Sequence, residues 1–222
     1  MKVRDFFESK LKIAYMSDKD YGNWISQNID NAVKYHRTLS HRGSGSRGFE
    51  YFEWWVCEKL RKGKWNSGGH GEDGWNKIGH PQEVKKMVGR HDRKSAHDFG
   101  HSFHDLSRHN YERRIKENWK VNLVFGYKDR ITMSLSYDFN DPVFVKNLEE
   151  SEWYDAVHNN KKYSKKLKVT RAWIENCPSL KMDYFDKEVY KESIHKFRTQ
   201  TGNDGIITAF IEGLVNNAKI LV

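Results

Sequence analysis

The chain has 222 residues, of which 37% are hydrophobic and 14% aromatic. That composition suffices for one large domain with a buried core, so it excludes a chain that is disordered throughout. There is no run of about 18 apolar residues and no apolar stretch near the N-terminus, so we expect no membrane span, no secretory signal and a cytoplasmic location. Cys57 and Cys177 lie far apart and are expected to be reduced thiols.

The positive charge is concentrated in the middle of the chain. The net charge is +9; residues 36–171 carry 27 Lys and Arg against 18 Asp and Glu, whereas residues 1–35 carry 6 against 5 and residues 172–222 carry 6 against 7. A basic region between neutral ends favours a surface that faces a polyanion, above all nucleic acid. A solvated lysine-rich surface, or one that faces acidic membrane or protein partners, is the alternative.

The N-terminal part is predicted to be helical. Apolar residues repeat at helical spacing over residues 3–15 and again over about 17–38. A loop rich in glycine and serine follows at Arg42–Gly48, and a third helix, Phe49–Arg61, is aromatic along one side. We expect this third helix to be the central buried one.

The next segments are predicted to be a loop and a short helix. Gly63–His80 contains six glycines together with Trp65 and Trp75, which favours an irregular loop pinned by the tryptophans. Pro81 then stands at the position that helices tolerate best, which predicts a helix over residues 82–88.

A long helix over Lys94–Asn118 is predicted to organise the chain. Phe99, Phe103 and Leu106 recur at the i, i+4, i+7 spacing of one helical stripe. Three histidines repeat the same spacing on a neighbouring face: His97, His101 and His104.

Beyond residue 120 the apolar period changes from 3.6 to 2. Residues 121–127 and 131–137 alternate, which predicts an antiparallel hairpin joined at Lys128-Asp129-Arg130, with its odd-numbered apolar side chains buried against helical aromatics. Residues 143–145 are expected to return as a third short strand. Helical patterns follow at Leu148–Val157, at residues 186–197 and from Asp204 to about residue 219.

These elements predict an α+β fold. We expect a mostly helical single domain over residues 1–222, with one antiparallel β-hairpin or small sheet at about residues 120–146. The basic middle section is 36–171, and the C-terminal helical part 172–222 is a candidate subdomain.

The histidine stretch is a candidate catalytic and metal-binding site. On a helix, His97 and His101 at i, i+4 reach one ion from a single face, and His104 lies about a turn further on. Asp98 is a candidate partner, and a divalent metal is the cofactor that this arrangement would take. The alternative is a polar helix face that contacts nucleic acid.

The pentad His97-Asp98-Phe99-Gly100-His101 resembles the signature of HD-domain metal-dependent phosphohydrolases. The resemblance covers five residues and implies that an adjacent His-Asp pair binds a divalent metal on a helix. The residues before the pair are strongly polar, unlike the apolar helix usual in that family, and a hairpin does not suit its all-helical fold.

A nuclease of the restriction-enzyme type requires a metal-binding Asp followed by Glu-x-Lys on a core strand. Neither strand of the predicted hairpin contains Glu-x-Lys, although Asp138 and Asp141 lie at its exit. Glu83-Val84-Lys85 has the required spacing, but it falls in a predicted helix. A degenerate form of this site therefore remains an open hypothesis.

Nucleic-acid binding is predicted from the distribution of basic and aromatic residues. Lys and Arg neutralise phosphates, and exposed aromatic rings stack on bases. The candidates are Arg37, Arg42, Arg47, Trp65, Trp75, Arg90, Arg93, Arg108, Arg113, Arg114, Lys161, Lys162, Lys165 and Lys166.

The sequence thus favours a cytosolic nucleic-acid-binding protein that holds DNA or RNA mainly by the phosphate backbone. A metal-dependent phosphodiester hydrolase, either a nuclease or an HD-like phosphohydrolase using His97, His101 and His104, is the first alternative. A structural packaging or assembly protein is the second. The choice between DNA and RNA, the metal and the oligomeric state stay open.

Overall fold

The computed structural model describes residues 52–66, 71–87, 99–127, 130–159, 163–193 and 204–217. The strands of this part are β1 Lys64–Trp65, β2 Gly74–Trp75, β3 Pro81–Met87, β4 His101–Ser107, β5 Lys120–Tyr127, β6 Arg130–Asp138, β7 Ser164–Val169 and β8 Lys181–Phe185. Its helices are α1 (residues 52–60, π-helical over Trp55–Leu60), α2 Arg108–Lys116, α3 Pro142–Glu149, α4 Glu152–Tyr154 (continued as a π-helix over Asp155–Asn159), α5 Arg171–Ile174, α6 Lys187–Ser193 and α7 Asp204–Asn217.

A six-stranded mixed sheet forms the centre, in the order β1-β2-β3-β5-β6-β8. β3 and β5 are parallel, and the other neighbours are antiparallel. Parallel neighbours need a long crossover connection. Here the connection includes β4 and α2, and β4 pairs with β7 in a second, antiparallel ladder.

The prediction of a mostly helical domain with one small hairpin is wrong, although the fold is α+β. The predicted hairpin itself is confirmed as β5 and β6, and its odd-numbered residues Phe125 and Leu135 are fully buried. The sheet extends beyond that hairpin because β3 and β8 flank it on either side. Neither flanking strand has the regular alternation that marked the hairpin.

The even-numbered face of the hairpin, which carries polar side chains, is buried as well. Asn122 of β5 and Ser134 of β6 have no exposed surface. Arg61, just after α1, donates to Asn122 Oδ1 at 2.7 Å and to Asp183 of β8 at 2.6 Å. Asn122 therefore lies beneath a second layer and is bonded to a side chain of that layer, whereas Ser134 Oγ is buried without a hydrogen-bond partner among the described residues.

The helix predicted over residues 82–88 is wrong, because this segment is the strand β3. Glutamine, glutamate and lysine favour helices locally. Here Glu83 and Lys85 instead pair in parallel register with Val121 and Leu123 of β5, in the core of the sheet. Tertiary pairing overrides the local preference.

The long histidine helix is also wrong over His101–Ser107, whereas its first residues, 94–98, lie outside the described residues. β4 occupies His101–Ser107, and the helical part begins only at α2, where Ser107 Oγ accepts from Asn110 N at 3.1 Å. Phe103 and Leu106 are both buried although they are three residues apart on a strand. A register shift between these two residues places both on one face, and this mimics helical spacing.

The remaining predictions have mixed outcomes. The third strand predicted at residues 143–145 is wrong: this segment lies in α3, which Asp141 caps by accepting from Val143 N at 2.9 Å. Helices at the last two predicted sites are confirmed as α6 and α7. Residues 1–51, with the first two predicted helices, lie outside the described residues. No described helix has the length and apolar character needed to cross a bilayer.

Candidate functional site

The strand β3 places Glu83 and Lys85 on one face of the sheet, because alternate residues of a strand point the same way. Asp73, directly before β2, lies beside them. Its backbone N–H donates to Gln82 O at 3.0 Å, and its Oδ2 accepts from Val84 N at 2.6 Å. The antiparallel pairing of β2 with β3 thus brings together an aspartate and a Glu-x-Lys triplet that are ten residues apart.

Gly74 permits this close approach of β2 to its neighbours. A Cβ atom at this position would lie 2.4 Å from Lys64 O and 2.6 Å from Cys57 Sγ. Only glycine fits between β1 and α1 at that separation. The turn that carries Asp73 is therefore anchored from two sides.

Glu83 is buried and paired with two cations. Lys85 Nζ contacts its Oε1, and Arg114 Nη1 lies 2.7 Å from its Oε2. Burial acts to raise the pKa of the Glu83 carboxyl, but the charges of Lys85 and Arg114 outweigh burial and leave this pKa below its ordinary value. Glu83 is therefore a carboxylate at neutral pH.

The pKa of the Asp73 carboxyl is shifted in the opposite direction. Burial, followed by the negative charges of Glu53 on α1 and of Glu83, holds the pKa of Asp73 well above its ordinary value. Two neighbouring carboxyl groups whose pKa values are pushed apart mark a candidate functional site. Without a cation between them, the two groups repel each other.

The donor set at this point fits a hard divalent cation. Mg²⁺ is typically held by one or two carboxylates and completes its shell with water and substrate phosphate. Asp73 and Glu83 supply two such carboxylates. Within the described ranges, no group of three or more His, Cys, Asp or Glu side chains is placed to hold one metal ion. Two carboxylates are fewer ligands than a closed structural zinc site requires, and both oxygens of Glu83 are also paired with Lys85 and Arg114.

A cleft of about 320 Å³ opens next to Glu83 and Lys85. The helix α2 contributes one wall, because its helical period aligns Asn110, Arg113 and Arg114. The full lining is Gly71, Glu83, Lys85, Phe103, His104, Asn110, Arg113, Arg114 and Trp119. Asp73 lies beside this cleft and is not among the lining residues.

Aromatic rings hold one of the two arginines of this wall. The Arg114 guanidinium lies 4.3 Å from the centroid of the Trp119 ring, so it is fixed both by this ring and by Glu83. Arg113 is more exposed and pairs with Glu72 and Glu117, each at 2.9 Å. The cleft therefore combines one buried carboxylate with a rigid and a more accessible guanidinium.

Of the three histidines in the predicted site, the structure describes His101 and His104. His101 lies on β4 with its Nε2 2.8 Å from Tyr137 Oη, and burial lowers its pKa to about 3. His104 is exposed and lines the cleft. His97 and Asp98 lie outside the described residues, so the structure does not place the other half of the predicted metal site.

Several predicted nucleic-acid contacts can be located. Arg113 and Arg114 line the cleft, as described above. Arg108 is exposed and pairs with Glu112 at 2.8 Å; Lys165 lies 3.8 Å from Glu152, and Lys166 is exposed. The candidates outside the described residues are Arg37, Arg42, Arg47, Arg90, Arg93, Lys161 and Lys162.

The two tryptophans proposed for base stacking sit on strands and not in an irregular loop. Trp65 of β1 is buried, with its Nε1 3.5 Å from Glu53 Oε2, so its ring is not available to a base in this structure. Trp75 of β2 is half-buried. The ring of Trp65 thus packs as a core residue.

Sequence reasoning did not include Asp73 among the site residues, and it placed Glu83-Val84-Lys85 in a predicted helix. The Glu-x-Lys spacing is visible in the sequence, but a helix over that segment would not present it as a nuclease does. The sequence signal that could have found the site is Asp73, which precedes Glu83 of the Glu-x-Lys triplet by ten residues. No protein-family model matches this chain, and no curated protein matches it either.

Proposed function

We propose that the protein is a metal-dependent phosphodiester hydrolase that cleaves nucleic acid, with an active site formed by Asp73, Glu83 and Lys85. The observation that carries the proposal is the juxtaposition of Asp73 with Glu83-Val84-Lys85 on a core strand. Nucleases of the restriction-enzyme type require this combination, which here resembles theirs in both residue types and strand context. The basic composition of residues 36–171 supports nucleic acid as the substrate.

Hydrolysis requires that water add to phosphorus, that the P–O bond to the leaving group break, and that the leaving oxygen gain a proton. Asp73 and Glu83 would hold the divalent ion. When bound, that ion supplies Lewis-acid activation of the phosphate and of water. Lys85 projects from the same face as Glu83, so its ammonium adds positive charge where negative charge builds on the phosphate oxygens.

The arginines of α2 support binding of the substrate strand. Arg113 is partly exposed at the cleft, and its guanidinium geometry suits phosphate oxygens. Arg114 is held on Trp119 and keeps Glu83 ionised, so its role is to position that carboxylate. The two adjacent arginines, which have different surroundings, thus have different proposed roles.

An HD-type phosphohydrolase is supported less well. That chemistry needs histidines free to bind metal on a helix, whereas His101 lies on a strand and is bonded to Tyr137. His104 is the one predicted histidine that both is described and lines the cleft. It is placed to contact a phosphate.

The test is a cleavage assay on end-labelled DNA and RNA with Mg²⁺, Mn²⁺, Zn²⁺ or EDTA. We expect metal-dependent cleavage by the wild type, and rates at least about 100-fold lower for Asp73→Asn, Glu83→Gln and Lys85→Ala. Lys187→Ala, an exposed lysine of α6 outside the cleft lining, is the matched control and should cleave normally.

Two results would overturn the proposal. One is wild-type protein that binds nucleic acid but cleaves neither DNA nor RNA with any of the metals, which would favour a packaging role. The other is cleavage that survives all three substitutions, which would place the active site elsewhere.

A further inference from the structure

The β4–β7 ladder has one buried face and one exposed polar face. Phe103 and Leu167 are paired across the ladder and are both buried. The opposite face carries Ser102 of β4 beside Lys168 of β7, because paired residues of antiparallel strands point to the same side. Lys166 lies two residues before Lys168 and is also exposed.

His104 connects this ladder with the cleft described above. It is exposed and lines the cleft with Glu83 and Lys85. It lies within the register shift of β4, between the pairs Phe103–Leu167 and Leu106–Lys165, and thus opposite Lys166 of β7. A chain that lies over Lys166 would reach the carboxylate site through His104.

The face is positively charged and has no counter-charge nearby in sequence. Residues 159–171 contain six Lys and Arg and no Asp or Glu. Among the described residues, neither Lys166 nor Lys168 has an acidic partner within 4.0 Å, whereas Lys165 on the other face lies 3.8 Å from Glu152. Exposed lysines without acidic partners are suited to phosphate groups.

An exposed aromatic ring lies at the N-terminal end of β7. Tyr163 directly precedes β7, and 89% of its surface is exposed. At a rise of about 3.3 Å per residue, Tyr163 lies about 10 Å from Lys166 and about 17 Å from Lys168 along the strand. Single-strand binders combine a basic groove with aromatic rings on which bases stack.

We propose that single-stranded nucleic acid enters the cleft along this face, with its phosphates on Lys166, Lys168 and His104 and a base stacked on Tyr163. The inference rests on the proposed nuclease function and adds to it the strandedness of the substrate and its path. A base in a duplex has both of its faces covered by neighbouring bases, so Tyr163 has no role in duplex binding.

The test measures binding of fluorescent oligo-dT and of a duplex of equal length by anisotropy, in EDTA so that no metal-dependent cleavage occurs. Tyr163→Ala should weaken oligo-dT binding by about 5- to 100-fold and leave duplex binding unchanged. Tyr163→Phe keeps the ring and should bind oligo-dT like the wild type. Since Tyr163 is exposed, these variants should melt at the wild-type temperature.

The lysines are tested by salt dependence. The double variant Lys166→Ala/Lys168→Ala should lower the slope of log K against log salt by about 1.4 for oligo-dT, because each phosphate that is no longer neutralised lowers it by about 0.7. The matched control removes two exposed lysines of α3 and α6, Lys146 and Lys187, and should keep the wild-type slope.

The outcomes separate this inference from the proposed function. Wild-type binding of oligo-dT that depends on Tyr163, together with no cleavage under any metal, would support the path and overturn the nuclease. Metal-dependent cleavage together with unchanged oligo-dT binding by Tyr163→Ala and by the double lysine variant would overturn the path. Equal weakening of single-strand and duplex binding by Tyr163→Ala would overturn the single-strand assignment.

Discussion

Neutralising the two carboxylates of the site should change protein stability in opposite directions. Glu83→Gln removes the anion that pairs with both Lys85 and Arg114, and leaves these two partly buried cations without their shared counter-charge. Asp73→Asn removes an anion that burial and the charges of Glu53 and Glu83 already disfavour. Without metal, the first substitution should destabilise the protein, and the second should stabilise it.

The expected loss of stability in Glu83→Gln follows from how deeply the three side chains of this ion pair network are buried. The side chain of Glu83 is 9% exposed, and those of its partners Lys85 and Arg114 are 22% and 13% exposed. Breaking a buried pair by removing one partner costs about 3–5 kcal/mol. A change of 1 kcal/mol shifts the melting temperature by about 2–4 °C at this chain length, so Glu83→Gln should lower it by roughly 6–20 °C.

Asp73→Asn keeps the acceptor for Val84 N–H, because the Asn side chain retains an oxygen. Relief of an unfavourable charge should contribute about 0.5–2 kcal/mol of stability. Thermal melts of wild type, Asp73→Asn, Glu83→Gln and the control Lys187→Ala, all in EDTA, measure both effects. If Asp73→Asn lowered the melting temperature as much as Glu83→Gln does, the repulsion inferred at Asp73 would be refuted.

Three further predictions concern the surroundings of the site. Tyr137→Phe should lower the free energy of unfolding in urea by about 1–3 kcal/mol, because the His101 ring loses its hydrogen bond to the Tyr137 hydroxyl. An unchanged free energy of unfolding would contradict that hydrogen bond. His101 should give neutral-imidazole NMR shifts down to about pH 4, since burial lowers its pKa to about 3. The free energy of unfolding should fall on acidification below about pH 6.5, where only the unfolded chain takes up the proton on this ring. A His101 ring that titrates near pH 6.5 would show that it is exposed. Gly74→Ala should lower the free energy of unfolding by about 1–3 kcal/mol, because its Cβ would lie 2.4 Å from Lys64 O. Wild-type thermal stability of this variant would show that β1 and β2 can separate enough to accept the methyl group.

Period-2 alternation was sufficient to predict β5 and β6, because the apolar odd-numbered residues of both strands face the same core. It did not predict β3. There the odd-numbered positions include Glu83 and Lys85, and Glu83 is buried because Lys85 and Arg114 neutralise its charge. A strand whose buried face is charged has no apolar alternation to detect.

The helix predicted through His101 and His104 failed for a different reason. The register shift in β4 spaces Phe103 and Leu106 as a helix would, and no local signal in a single sequence marks such an irregularity. The site itself depended on a contact between Asp73 and Val84 that arises from strand pairing. The Glu-x-Lys triplet can be recognised from sequence spacing alone. That Asp73 lies beside it is seen only once β2 pairs with β3.

The proposed function requires that Asp73 and Glu83 hold a divalent ion that Lys85 does not bind. Calorimetric titration of Mn²⁺ into wild type, Asp73→Asn, Glu83→Gln and Lys85→Ala tests this directly. We predict that the wild type binds Mn²⁺ and that the two carboxylate variants bind it at least about 10-fold more weakly. Lys85→Ala should bind it as tightly as the wild type or more tightly, because a nearby positive charge is gone. Wild-type Mn²⁺ affinity in both Asp73→Asn and Glu83→Gln would contradict the proposed metal site.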